Sequence, residues 1–122
     1  MLVEDDSAVR ILIAQTLAQA GYRVLKAADG AEALALSERH SGPIHLVLVD
    51  VVMPQMSGPD FVGRVAALRP NVKVLYISGH TEEAIVRHGV LEEGIQFLPK
   101  PFTPEDLVGK IREVLDTPSL SS

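Results

Sequence analysis

The chain has 122 residues, 47% apolar and 22% charged, and eleven Lys plus Arg against sixteen Asp plus Glu give a net charge of −5. That size allows one ordinary domain with a real core. The negative balance excludes a nucleic-acid backbone as the main partner, which calls for clustered positive charge, and the lack of Cys removes disulfide scaffolds, thiol nucleophiles and Cys-ligated metal sites together.

The chain opens on a clipped β-branched run, Met1–Val3. A helical pattern follows, with Val9, Leu12, Ile13, Leu17 and Ala20 on one face and Gly21 as its stop. Tyr22–Lys26 reads as a second strand. A second helix opens at Asp29 with Glu32 in a capping-box arrangement, and carries Leu34 and Ala35 on one face. His45–Val49 is the third strand. Phe61, Val62, Val65 and Leu68 mark a third helix that must end before Pro70. Val72–Ile77 gives a fourth strand, Thr81 to His88 a weaker fourth helix, and Ile95–Leu98 a fifth strand. The fifth helix starts at Thr103, with Pro104 at its first position, Asp106 closing the cap, and Leu107, Ile111, Val114 and Leu115 inward.

The strand runs are nearly continuously apolar, as strands covered on both faces are. Five of them alternating with five helices predict a doubly wound α/β fold on a five-stranded parallel sheet. Residues 1–116 form the domain, and the tail, residues 117–122, is expected to fray. Apolar runs such as Leu46–Val49 are far too short to span a bilayer, and the N-terminus lacks a signal-peptide pattern. The expectation is a cytoplasmic domain without membrane contact.

Ligands of such sheets bind at the carboxyl ends of the strands, beside the topological switch point. There the sequence places Glu4, Asp5 and Asp6 after the first strand, Asp50 after the third, Ser78 after the fourth and Lys100 after the fifth. Taken singly these are ordinary residues: an acidic triplet caps helices, Asp50 suits a turn, and Lys100 suits a solvated loop. Taken together they crowd carboxylates that repel unless a cation joins them. Glu4, Asp5 and Asp50, with a backbone carbonyl just beyond Asp50, are hard oxygen ligands of the kind Mg²⁺ takes. Ser78 and Lys100 could then receive a phosphoryl group, and Asp50 could attack it to give an aspartyl phosphate.

With Asp50-Val51-Val52-Met53-Pro54 followed by Gly58, then Ser78-Gly79 and Lys100-Pro101-Phe102, the chain resembles the receiver domain of two-component response regulators over residues 1 to about 116. The resemblance implies a flavodoxin-like (βα)5 fold with strand order 2-1-3-4-5 and a cis peptide before Pro101. It implies Mg²⁺ (or Mn²⁺) held by Glu4, Asp5, Asp50 and the Val52 carbonyl, and phosphorylation of Asp50 by a phosphohistidine on a histidine kinase or histidine phosphotransfer domain. Ser78 and Lys100 would contact the phosphoryl oxygens. Ser78 and Phe97 would form the switch that changes the surface of the fourth helix, fifth strand and fifth helix for a downstream protein. The only catalysis implied is that of its own Asp phosphorylation and dephosphorylation.

Some positions depart from the commonest pattern. Glu4 stands where Asp is usual, Ser78 where Thr is frequent and Phe97 where Tyr is frequent. Val52 and His80 occupy the two positions that tune phosphate loss in this family. Val52 cannot orient an attacking water, which predicts a long-lived aspartyl phosphate. His40, His45, His80 and His88 lack metal-ligand spacing.

Three alternatives compete. A phosphatase resembling the haloacid dehalogenases would carry a second Asp at position 52, and a dinucleotide site would need a G-x-G-x-x-G after the first strand. A receiver-fold interaction module without phosphorylation would be expected to lose Asp50, Lys100 or the acidic pair. The short first strand suggests a domain excised from a longer protein, and residues 78–91, followed by 97–102, resemble receivers fused to hybrid sensor histidine kinases. A parent of that kind would be a histidine kinase; a stand-alone single-domain regulator is the alternative. A weak homodimer through the fourth and fifth helices stays open.

Overall fold

A computed structural model describes residues 1–51, 56–78 and 96–116, with the backbone alone at Pro59 and Ser78. Five strands, β1 (Leu2–Val3), β2 (Lys26–Ala27), β3 (Leu46–Asp50), β4 (Lys73–Ser78) and β5 (Gln96–Pro99), form one sheet in the order β2-β1-β3-β4-β5. Every pairing is parallel. The helices between them are α1 (Ser7–Gln19), α2 (Gly30–Arg39), α3 (Gly58–Leu68) and α4 (Pro104–Asp116). This is the flavodoxin-like order. The expected helix at Thr81–His88 and the tail at 117–122 lie outside the described residues.

The strands read as unbroken apolar runs because both faces are covered. Val47, Val49 and Tyr76 join Val3, Ala27, Phe61 and Val65 in a core under α2 and α3. Leu48, Leu75 and Ile77 point the other way, to Ile13, Leu17, Leu107 and Ile111 under α1 and α4. Each helix start is fixed by a side chain that accepts from an otherwise unpaired backbone amide. Asp6 accepts from Ala8 and Val9, Asp29 from Glu32, and Ser57 from Asp60. Thr103 and Asp106 form the reciprocal box at α4, at 3.0 and 3.1 Å.

Two expectations need correction. The ladder of β2 holds only Lys26 and Ala27, not Tyr22–Lys26. Tyr22 and Val24 pack partly buried against the α1/α4 core, so their apolar side chains are accommodated without strand pairing. On α1 the buried face is Ile13, Ala14 and Leu17. Leu12 is 60% exposed and Ala20 is also exposed, because the stripe that meets the sheet is narrower than the apolar pattern. Leu68, at the end of α3, is likewise 49% exposed.

Candidate functional site

The chain leaves β1 for β2 on one side and returns for β3 on the other, so β1 and β3 are neighbours at the switch point. Their ends carry Glu4 and Asp50. Register extends the site sideways: Asp50 lies opposite Ile77, and Ser78 opposite Pro99. Lys100 follows at once, through a cis peptide to Pro101. One edge of the sheet therefore collects Glu4, Asp5, Asp50, the Ser78 backbone and Lys100.

Lys100 Nζ donates to Asp50 Oδ2 at 2.9 Å and to Glu4 Oε2 at 3.1 Å. Glu4 is 1% exposed and Asp50 is 5% exposed, so the ammonium bridges two buried carboxylates. Such groups are tolerable only when paired and hydrogen-bonded. Burial pushes the Glu4 carboxyl above its ordinary 4.5; the Asp6 amide and Lys100 pull it back, and the Asp50 charge adds to the rise. For Lys100 burial acts downward, but the hydrogen bonds and charges of Asp50 and Glu4 outweigh it, leaving its pKa above 10.5. Lys100 therefore stays charged as the counter-ion of the site.

The acidic triplet divides its labour. Asp6 is the N-cap of α1, as the plain reading of such a triplet holds. Glu4 and Asp5 turn to Asp50, and one carboxylate oxygen from each of the three lies within 4.8 Å of the others. Glu4 Oε1 also accepts from the Asp6 amide at 3.2 Å. The donor set is all hard oxygen, with Asp5 exposed at its mouth, where a cation that keeps bound water could enter. These residues fit a divalent cation of the Mg²⁺ type.

Phe97 is half-buried, packed against the α2/α3 core and paired in register with Tyr76. The Ser78 side chain, the Val52 carbonyl and His80 lie outside the described residues. Two further residues touch the site's backbone. Arg10 donates from Nη1 to the Glu4 carbonyl at 2.9 Å. Gly58 donates to the Val51 carbonyl at 2.8 Å, and a β-carbon on it would stand 2.5 Å from the Asp50 carbonyl oxygen. Gly58 entered the sequence analysis only as a motif letter, and Arg10 not at all. A sequence signal existed for Arg10: a cation in the first turn of a helix opposes the helix dipole and calls for a partner of its own.

The model of the response regulator receiver domain matches residues 1–112. The chain belongs to that family. This receiver is 38% identical over 116 residues to the sensor kinase CckA of Brucella abortus, covering 95% of this chain but 12% of that protein. It is 32% identical to the response regulator receiver protein CpdR of the same organism, over 94% of each chain. Among solved structures, the receiver domain of the hybrid histidine kinase CckA is 36% identical with a TM-score of 0.79, over 94% of this chain and 96% of that one. The chemotaxis protein CheY4 of Vibrio cholerae is 32% identical with a TM-score of 0.80, over 93% and 94%. The receiver is thus a two-component signalling domain, of a family that works with histidine kinases or phosphotransfer proteins and binds Mg²⁺ at an acidic pocket. Among its described residues, no helix is long and apolar enough to cross a membrane.

Proposed function

We propose that this receiver takes a phosphoryl group from a phosphohistidine onto Asp50. An Asp50 carboxylate oxygen forms the new O–P bond, the N–P bond of the phosphohistidine breaks, and the imidazole leaves with its electron pair. Lys100, 2.9 Å from Asp50 Oδ2, is placed to meet the charge of the phosphoryl oxygens, and Ser78 at the end of β4 is the second group assigned to them. Glu4, Asp5, Asp50 and the Val52 carbonyl are the proposed holders of Mg²⁺. When bound, the metal would neutralise charge on the incoming phosphoryl group and orient it.

The observation that carries this reading is the buried Glu4–Lys100–Asp50 bridge at the switch point, with Asp5 beside it. The signal would pass through Ser78 and Phe97 to the surface formed by the fourth helical segment, β5 and α4. Val52, which has no polar group to guide a water, favours a long-lived aspartyl phosphate, with His80 as the second tuning position. The parent most consistent with the likeness to CckA is a hybrid histidine kinase in the cytoplasm. The likeness to the response regulator receiver protein CpdR supports the second reading, a stand-alone regulator.

The test is incubation with a small phosphodonor and Mg²⁺, read by intact mass. A single phosphoryl adduct is expected on the wild type and none on Asp50→Asn. Adduct formation that persists in Asp50→Asn, or none on the wild type, removes the reading. Decay of the adduct within seconds would refute the long lifetime.

A further inference from the structure

Arg10 is the fourth residue of α1, near the positive end of the helix dipole, where a cation is electrostatically unfavourable. Its half-buried side chain reaches back along the chain and Nη1 donates to the Glu4 carbonyl at 2.9 Å. That carbonyl belongs to the rigid peptide unit joining Glu4 to Asp5, so fixing it restrains the backbone torsions on either side and hence the directions of both side chains. The other groups of Glu4 are engaged as well. Its amide donates to Ala27 at 3.1 Å, Oε1 accepts from Asp6 at 3.2 Å and Oε2 from Lys100 at 3.1 Å. Asp5 is exposed and its orientation depends on its backbone.

We infer that Arg10 is a positioning residue for the cation site, holding the Glu4–Asp5 peptide so that both carboxylates face Asp50. The inference rests on the reading of Glu4, Asp5 and Asp50 as holders of Mg²⁺. Charge alone predicts the opposite behaviour from positioning. A guanidinium beside a cation site repels the metal, so its removal should tighten binding. Loss of a group that orients metal ligands instead weakens binding, by about 10- to 100-fold in well-ordered sites. The direction of the change separates the two.

Mg²⁺ is titrated into the full chain and binding is followed by the amide chemical shifts of residues 4–6. Arg10→Met keeps the length of the stem while losing its donors. It is expected to bind Mg²⁺ about 10-fold more weakly than the wild type with its circular dichroism unchanged. Binding as tight as the wild type's, or tighter, overturns the inference. Should Arg10→Met fail to fold, Arg10→Gln is read by the same criterion. A wild type without saturable Mg²⁺ shifts at these residues overturns the cation-site reading and this inference with it. Saturable wild-type binding with an unweakened variant overturns the inference alone.

Discussion

Lys100 holds together two carboxylates that would otherwise repel in a buried setting. Its own side chain keeps 25% exposure, which softens the penalty of losing it below the 3–5 kcal/mol typical of a fully buried pair. Lys100→Met should cost about 2 kcal/mol in metal-free buffer, since Glu4 and Asp50 lose the ammonium that bridges them. Mg²⁺ should recover part of that loss by mass action, because it supplies a replacement cation to the native state only. Urea unfolding with and without Mg²⁺ checks both; a variant whose loss is the same in the two buffers contradicts the account. Gly58 makes a different demand. A methyl there would sit 2.5 Å from the Asp50 carbonyl oxygen and 3.1 Å from the Val51 Cα, both backbone atoms of the strand end that carries Asp50, the proposed phosphoacceptor. Gly58→Ala should destabilise by about 1–3 kcal/mol and slow adduct formation on Asp50, and a urea curve overlying the wild type's would refute it. The polar strand-end residues Glu4, Asp5, Asp50 and Lys100 were legible in sequence because a parallel sheet brings strand carboxyl ends to one edge. Arg10 was only half legible: its place against the α1 dipole signalled the need for a partner, but that partner is a carbonyl, which leaves no mark in the residue alphabet.

Among the elements, α2 and α3 show how ends are secured. Arg69, the residue after α3, donates from Nη2 to the carbonyls of Ser37 and His40 at 2.9 and 2.7 Å, and from Nη1 to Gly42 at 2.6 Å. One guanidinium thus pairs a carbonyl in the last turn of α2, that of its C-cap His40 and that of Gly42 beyond, and adds a favourable cation at the negative end of the helix dipole. Arg69→Met should therefore cost about 2–3 kcal/mol and speed amide exchange at residues 36–42 ahead of global unfolding. Uniform exchange across the chain would argue against a local clamp. Gly63 makes the converse case: it is exposed in the middle of α3, and a β-carbon there would meet nothing within 4 Å. Gly63→Ala should raise stability by about 0.5–1 kcal/mol through helix propensity; a lower urea midpoint would refute it. Caps were the most legible part of these elements, because Asp29 with Glu32 and Thr103 with Asp106 are local chemistry. Strand limits were less so. Tyr22 and Val24 satisfy the apolar pattern by packing alone, and pattern cannot separate packing from pairing. Leu12 and Ile11, 60% and 53% exposed, make the same point for α1: apolar spacing marks which positions could face the core, while the crossing of helix and sheet chooses among them.

At the scale of the molecule, one sheet separates two cores and also joins them. Adjacent residues of β3 and β4 feed opposite sides: Val47 and Val49 one way and Leu48 the other, Tyr76 one way and Leu75 and Ile77 the other. Losing either core therefore exposes half of the same strands, and neither side has a separate set of hydrogen bonds to retain. The two sides should unfold in a single step. The chain has no Trp and two Tyr, one for each side: Tyr22 packs with the α1/α4 core and Tyr76 is buried in the α2/α3 core. In Tyr22→Phe the remaining tyrosine signal reports the α2/α3 side, and in Tyr76→Phe it reports the α1/α4 side. Each should share its urea midpoint with far-ultraviolet circular dichroism of the same variant. A tyrosine transition that precedes the backbone signal in either variant would show that the cores come apart separately. Coupling of this kind also bears on signalling. Phe97 packs against the α2/α3 core from β5, so the proposed signal from Asp50 through Phe97 would act on strands that both cores share.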